Sequence, residues 1–282
     1  MDKTLRLALV QMTAARAPQD NLPAALAAVA CAAEAGAQLV ATPEMTLMLE
    51  MDGKAALAKS HPPEAEPAIA AFAAAARRHG LWLLVGSLAL KVEARRLANR
   101  SLLFAPDGRL AASYDKIHMF DVDLPGGERF RESRTYRPGE RAVVASTPWG
   151  GLGLTICYDL RFAHLYRDLA QAGAKIISVP AAFTKQTGAA HWHVLLRARA
   201  IETGCFVIAP AQTGRHEAGR ETYGHSLVVS PWGDVLADGG SDPGLVMASL
   251  DLSEVEKARR RIPALSHDRA FTSAASPRKA AS

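Results

Sequence analysis

The sequence contains little cysteine, which excludes a disulfide framework. Only three cysteines occur in 282 residues, and the spacing of Cys31, Cys157 and Cys205 matches no zinc-ligand motif. No hydrophobic run is long enough to span a membrane. The N-terminal residues 1–12 lead straight into a strand pattern and do not resemble a signal peptide. We therefore expect a soluble cytoplasmic protein that has no membrane partner.

The sequence also lacks a linker and a concentrated charge. No Pro/Gly/Ser-rich stretch or long charge run divides it, which predicts one domain over residues 1–270 and a mobile tail over 271–282. The net charge is +5, but the basic residues are scattered and no aromatic-studded basic patch occurs. We therefore expect no nucleic-acid partner, and a small anionic substrate suits this surface equally well.

Strand patterns alternate with helix patterns and hairpins, which is typical of an α/β fold. We predict helices over residues 21–35, 64–79, from about 163, 190–203 and 253–261. Strands are predicted over residues 5–11, 38–42, 81–90, 100–105, 110–114, 142–146, 152–156, 175–180, 205–211, 225–230 and 245–251. Two polar stretches, 115–139 and 214–224, are predicted to be loops, and loops as long as the first are usually functional.

Cys157 follows the predicted strand 152–156 and precedes a helix. This arrangement holds the side chain at the carboxyl end of a strand, where open α/β sheets place their sites. The backbone N–H groups that follow it can bind an anion. The stretch therefore favours a nucleophilic cysteine, although a buried core cysteine explains it equally well.

Three charged residues are candidates for assisting a thiol nucleophile. Glu44 follows Pro43 at a strand end and is a candidate general base, although a carboxylate at a helix entry fits the same position. Lys116 begins the first polar loop and could stabilise an oxyanion, or it could be an ordinary surface lysine. Glu132 lies in the same loop and, taken alone, indicates only a solvated charge.

Histidines provide no comparable signal. His164 lies one helical turn after Cys157 and is expected to point along another face. His191 and His193 are two positions apart on a predicted helix, so their side chains diverge. The sequence therefore predicts no metal site.

Three short segments in chain order resemble the nitrilase, or carbon–nitrogen hydrolase, superfamily. They are Pro-Glu-Met at 43–45, Tyr-Asp-Lys-Ile-His at 114–118 and Ile-Cys-Tyr-Asp-Leu-Arg-Phe at 156–162. Residues 120–130, 190–202, 212–216 and 223–233 narrow the resemblance to the Nit subfamily of amidases, whose members act on deaminated glutathione or α-ketoglutaramate. The sequence of the loop 212–216 resembles the branch that acts on deaminated glutathione more closely. The resemblance extends from about residue 4 to 271.

This resemblance implies a four-layer αββα sandwich, a homodimer or higher homo-oligomer, and catalysis without a cofactor. It implies that Cys157 is the nucleophile, Glu44 the general base, Lys116 the triad lysine, and Glu132 a positioning glutamate. The reaction it implies is hydrolysis of a linear carboxamide to a carboxylate and ammonia through a thioester. A glutamate base requires a pKa raised toward neutrality by burial, and we expect this of Glu44.

Substrate contacts are predicted from position. Tyr158 follows the nucleophile, and its N–H is a candidate oxyanion donor. Phe183 and Thr184 come just after a strand end and are expected to form a substrate wall. If the substrate carries a carboxylate, the candidate cations include Arg161, which could equally be structural. Lys185 and Arg215 are further candidates of this kind.

Two features depart from the related pattern. Ala-His-Trp-Glu reads Ala-His-Trp-His here, with His193 in place of the acid, and residues 45–52 lack an aromatic side chain. The alternatives that stay open are an ω-amidase, a nitrilase, a carbamoylase or another amidase. A non-catalytic binding protein with the same fold is the alternative from a different class.

Overall fold

The computed structural model describes residues 4–124, 127–217 and 219–272. It contains six α-helices in this part of the chain: α1 (Pro18–Glu34), α2 (Gly53–Lys59), α3 (Pro67–His79), α4 (Ala163–Gln171), α5 (Lys185–Thr203) and α6 (Ser253–Arg261). The strands are β1 (Thr4–Gln11), β2 (Leu39–Ala41), β3 (Trp82–Glu93), β4 (Arg96–Phe104), β5 (Leu110–Asp115), β6 (Asp121–Asp123), β7 (Arg129–Arg131), β8 (Val143–Thr147), β9 (Gly150–Leu154), β10 (Ala174–Ser178), β11 (Phe206–Ala209), β12 (Thr213–Arg215), β13 (Glu221–Tyr223), β14 (Leu227–Val229), β15 (Val235–Asp238) and β16 (Gly244–Asp251).

Two six-stranded sheets form the centre of the fold. The first has the order β16-β1-β2-β3-β4-β5, and the second has the order β15-β14-β11-β10-β9-β8. In each sheet three neighbouring strands run parallel, β1-β2-β3 and β9-β10-β11, and antiparallel strands flank them. The parallel strands need helical crossovers, and these cover the outer faces of the sheets.

The burial pattern of β1 shows how the layers stack. Leu5, Leu7 and Leu9 belong to the core that includes residues of both sheets. The alternate residues Ala8 and Val10 belong to a second core, shared with α1 and α3. Because successive side chains of a strand point to opposite faces, this strand is buried on both sides. With α4 and α5 against the second sheet, the predicted four-layer αββα sandwich is confirmed.

Several predicted boundaries need correction. The stretch 115–139 is not entirely irregular, because it contains the hairpin β6–β7 and a 3₁₀ turn at Glu132–Arg134. The stretch 214–224 likewise contributes to the β12–β13 hairpin. Helix α5 begins at Lys185, five residues before the predicted start at 190, because the Thr184 side chain accepts the N–H of Thr187 and caps it.

The predicted tail lies mostly outside the described residues, which end at Thr272. Among the helices described, none combines the length and apolar character needed to cross a membrane.

Candidate active site

Cys157 lies in a sharp turn after β9. It opens a 3₁₀ helix, Cys157–Arg161, and its backbone is in the left-handed region with φ of 49°. A residue with a side chain seldom adopts this conformation, and strain of this kind clusters at functional sites. The Cys157 N–H donates to the carbonyl of Pro180 at 3.0 Å, which ties the turn to the end of β10.

The buried side chain of Asp159 holds this turn in place. Its fully buried carboxylate accepts the N–H of Ile156 at 2.9 Å and the hydroxyl of Tyr114 at 2.7 Å. It also accepts the backbone N–H of His118 at 3.0 Å and contacts the ring Nδ1 of His118 at 2.7 Å. Since Tyr114 and His118 flank the end of β5, this carboxylate locks the cysteine turn of the second sheet onto the first sheet.

The predicted charged residues converge beside this turn. Lys116 is 2% exposed and its Nζ lies 3.0 Å from Glu44 Oε1. The same Nζ lies 3.1 and 2.9 Å from the two carboxylate oxygens of Glu132. Glu44, Lys116 and Cys157 all line one pocket, together with Glu132. The structure therefore brings all four predicted catalytic residues to one place.

Asn99 completes this network, and the sequence analysis missed it. Its Nδ2 donates to Glu44 at 2.9 Å and to Glu132 at 3.2 Å. The second oxygen of Glu44 accepts the N–H of Ala182 at 2.9 Å, and Glu132 accepts the N–H of Phe120 at 2.7 Å. The available signal was an asparagine between the apolar residues of strand β4, since buried polar groups must find partners.

The charges in the cluster decide where the protons lie. Burial alone raises the pKa of Glu44, but the Lys116 charge and the hydrogen bonds from Cys157 and Lys116 outweigh it and lower the pKa. Burial favours the neutral amine of Lys116, yet Glu132 and Glu44 hold its pKa well above the usual value. Burial, followed by the Glu44 charge, raises the pKa of Cys157 far above that of a free thiol.

The resting site therefore holds a thiol, a carboxylate and an ammonium. The expectation that burial raises the Glu44 pKa toward neutrality is wrong, because the neighbouring cation and hydrogen-bond donors stabilise the charged form more than burial disfavours it. A carboxylate hydrogen-bonded to a thiol can accept its proton during attack on a carbonyl. An ammonium beside it can stabilise the negative charge that then develops.

The structure places some of the predicted substrate residues at the pocket and others away from it. Tyr158, Phe183 and Thr184 line the pocket, with further aromatic side chains from Phe120 and Phe130. Arg161 is not among the lining residues. Its guanidinium lies 5.9 Å from the Tyr158 ring centre and 5.6 Å from that of Phe183. A direct contact from Arg161 to substrate therefore stays a prediction.

The cations at the pocket differ from those predicted. Lys185 pairs with Glu221 at 3.0 Å, and neither Lys185 nor Arg215 lines the pocket. Arg220 does line it, with its guanidinium 5.3 Å from the Phe130 ring centre and bonded to the carbonyl of Ala182. In the part of the chain that the structure describes, its buried Nε has no hydrogen-bond partner.

Comparison with known proteins agrees with this geometry. The family model for carbon–nitrogen hydrolases matches residues 6–260. A Yersinia enterocolitica protein named deaminated glutathione amidase is 42% identical over 281 residues, which covers 98% of this chain and 96% of that protein.

Solved structures extend the similarity to the fold. The NitFhit protein of C. elegans aligns with a TM-score of 0.86 at 38% identity, over 94% of this chain and 65% of that chain. A mutant amidase from Nesterenkonia sp. AN1 aligns with a TM-score of 0.78 at 30% identity, over 91% of this chain and 94% of that chain. That structure shows the acetamide moiety of fluoroacetamide covalently added at its active-site cysteine.

Proposed function

The chain belongs to the carbon–nitrogen hydrolase family and is an enzyme that acts on amides. From that premise we propose that it hydrolyses a linear amide of a small carboxylic acid, with deaminated glutathione as the substrate and its cysteinylglycine part as the leaving group. The proposal depends on one observation: the buried Glu44–Lys116–Glu132 cluster meets the strained Cys157 turn at the pocket. The name of the Yersinia relative supports the choice of substrate.

In the proposed reaction Glu44 takes the thiol proton as the Cys157 sulfur attacks the amide carbon. Lys116 Nζ and the N–H of Tyr158 hold the oxyanion that forms. The oxyanion collapses, the C–N bond breaks, and Glu44 transfers its proton to the departing nitrogen, so that the amine leaves and a thioester remains. The amine is cysteinylglycine when deaminated glutathione is the substrate and ammonia when the substrate is a primary carboxamide. Glu44 then takes a proton from a water molecule that attacks the thioester, and it returns a proton to the sulfur as the acid leaves.

The pKa directions support this assignment. The Glu44 pKa is lowered and the Cys157 pKa is raised, so the thiol keeps its proton until negative charge moves toward Lys116. Each preorganised donor of this kind lowers a barrier by about 3–4 kcal/mol. Glu132 and Asn99 act as positioning residues, because they hold the Lys116 ammonium and the Glu44 carboxylate in place.

We propose that Arg220 binds a carboxylate of the substrate. It lines the pocket beside Phe130, and the orientation of its guanidinium is fixed by the Ala182 carbonyl. A guanidinium and a carboxylate form a charge-assisted pair that is stronger than a neutral hydrogen bond. Arg131, another lining cation, is already paired with Asp123 at 2.7 Å.

The test is release of cysteinylglycine from deaminated glutathione, with release of ammonia from α-ketoglutaramate and from a simple nitrile measured in parallel. We expect release from deaminated glutathione by the wild type and by Cys31→Ala, which removes an exposed cysteine outside the site, and none by Cys157→Ala. Arg220→Gln should raise KM for deaminated glutathione much more than KM for propionamide, an amide with no carboxylate.

Each alternative has its own outcome. A strong preference for α-ketoglutaramate would identify an ω-amidase that uses the same mechanism. Conversion of the nitrile would indicate a nitrilase, and release of carbon dioxide with ammonia from a carbamoyl compound would indicate a carbamoylase. Failure on every substrate, with Cys157 inert toward iodoacetamide, would leave a non-catalytic binding protein and refute the proposal.

We further propose that the enzyme is a single domain over residues 1–270 that forms a homodimer in the cytoplasm. Its three cysteines are all unpaired, which suits a reducing compartment. The exposed apolar side chains of Ile201, Trp232 and Ile262 suit a contact between two copies. Light scattering tests the dimer, and a monomeric mass at working concentration would exclude it.

A further inference from the structure

A second group of chemically active side chains lies outside the active-site pocket. His193 projects from the middle of α5, His225 follows β13, and Asp238 ends β15. Their ligand-type atoms all lie within 4.8 Å of one another. All three side chains are accessible, with between 26% and 33% of each exposed. None of them lines the pocket that contains Cys157.

The distances in this group match those between ligands of one metal ion. His193 Nε2 lies 3.0 Å from Asp238 Oδ2, and His225 Nδ1 lies 3.2 Å from the same oxygen. Bonds of about 2.0–2.2 Å from a tetrahedral zinc ion to nitrogen and oxygen separate neighbouring ligand atoms by about 3.3 Å. Small rotations of the two rings are therefore enough for a shared ion to replace the contacts between the rings and the carboxylate.

The ligands are also held in place by groups around them. Asp238 Oδ1 accepts the N–H of Gly240 at 2.9 Å and also lies 2.9 Å from His225 Nδ1, while Oδ2 lies within reach of both rings. His225 is in the left-handed region with φ of 54°. Its N–H donates to Gly240 at 2.7 Å, and its carbonyl accepts the indole N–H of Trp192 at 2.8 Å. Outer contacts of this kind orient metal ligands and tune their affinity.

We propose that His193, His225 and Asp238 form a binding site for a divalent transition-metal ion, with Zn²⁺ as the preferred ion. Two imidazoles and one carboxylate suit Zn²⁺ far better than Mg²⁺, which prefers oxygen ligands in an octahedron. Three protein ligands leave a fourth position for water. The side chain that distinguishes this site is His193, the position where the sequence departs from the related pattern by replacing an acid with an imidazole.

The ion would join three segments that are distant in the sequence. It would connect α5 to the residue that follows β13 and to the end of β15. Neighbours of these ligands contact the pocket wall. Trp192, which precedes His193, packs on Phe183 with ring centres 4.8 Å apart. Tyr223, stacked on the His225 ring at 4.4 Å, donates its N–H to the Phe183 carbonyl at 3.0 Å. Bound zinc should therefore stabilise this side of the second sheet.

The test is zinc titration by calorimetry of the full chain carrying Cys31→Ala and Cys157→Ala, which removes the accessible and active-site thiols as competing ligands. We expect one Zn²⁺ per chain, a raised thermal unfolding midpoint, and no response to Mg²⁺. His193→Gln should lower the zinc affinity by about 100-fold or more, because removing even an outer contact costs 10–100-fold. Asp238→Asn should weaken it as well.

The matched control is His191→Gln, which removes a histidine from the same helix two positions earlier and should leave zinc binding unchanged. X-ray absorption of the zinc-loaded protein should show imidazole and oxygen ligands without sulfur. Equal zinc affinity in the His193→Gln and His191→Gln proteins would overturn the proposal. So would sulfur ligation, or the absence of measurable zinc binding. None of these readouts depends on the amidase activity.

Discussion

Replacing Lys116 with Met should destabilise the protein in a way that depends on pH. Lys116 Nζ makes contacts of 2.9–3.1 Å with Glu44 and Glu132, and it is 2% exposed. Removing one partner of a buried ion pair costs about 3–5 kcal/mol, because the remaining charge is left unpaired. We therefore expect Lys116→Met to lower the free energy of unfolding by about 4 kcal/mol at neutral pH.

The pH dependence follows from the loss of the cation. In the wild type the Lys116 charge lowers the Glu44 pKa. In the variant, burial and the charge of the neighbouring Glu132 raise the pKa of Glu44 above its value in the unfolded chain. Such a shift leaves stability intact below the unfolded pKa, and that stability is lost as the pH rises through the folded pKa. The difference in the free energy of unfolding between the variant and the wild type should therefore become smaller as the pH falls toward about 4.5.

Urea unfolding, followed by tryptophan fluorescence between about pH 4.5 and 8, measures this difference. The double variant Lys116→Met/Glu132→Gln removes the excess negative charge and should recover about 2 kcal/mol without restoring activity. Lys185→Met is the matched control, because it breaks an exposed pair with Glu221 that is worth less than about 1 kcal/mol. The electrostatic account would be refuted if Lys116→Met lowered the free energy of unfolding no more than Lys185→Met does. It would also be refuted if the loss in Lys116→Met did not change with pH.

Two further predictions concern other parts of the site. Glu50, whose side chain is 1% exposed, keeps a pKa of about 2 although burial raises it, mainly because of the hydrogen bond from Lys59. The stability from this shift, about 3 kcal/mol, is present above about pH 4.5 and is lost as the pH falls through about 2. Glu50→Gln should therefore be less stable than the wild type at neutral pH, and the free energies of unfolding of the two proteins, measured by urea titration, should converge in acid. A difference that stays constant with pH would contradict this. Gly86→Ala should abolish amide hydrolysis and lower the thermal unfolding midpoint, because the new Cβ would lie 2.0 Å from the Thr42 carbonyl and displace the strand end that carries Glu44. An unchanged midpoint would contradict this.

Local patterns predicted an α/β fold and most of its elements, but the four-layer sandwich and the expected roles of the site residues came from the resemblance to the carbon–nitrogen hydrolase family. Cys157, Glu44 and Lys116 each lie at the end of a predicted strand, and strand ends are where α/β folds place their sites. Asn99 escaped prediction because its contact with Glu44 spans 55 residues, and nothing in its own segment indicates that partner. Arg220 escaped for the same reason, since only the folded chain brings it to Phe130.

The proton positions could not be predicted from the sequence either. Burial of Glu44 was foreseeable, but the balance between burial and the Lys116 charge depends on the 3.0 Å distance between them. The early start of α5 depends on the side-chain cap by Thr184, which competes with the helix signals further along. In each of these cases a single contact outweighed the local preference of the sequence.

The edge strand β16 has a consequence for synthesis of the chain. It pairs with β1 along its whole length, from Thr4 opposite Asp251 to Gln11 opposite Gly244. Because the N-terminus leaves the ribosome first, the edge of β1 that pairs with β16 stays open until residue 251 has emerged. An open strand edge invites pairing with other chains. We therefore expect translational pauses before β16 to promote aggregation of the nascent chain.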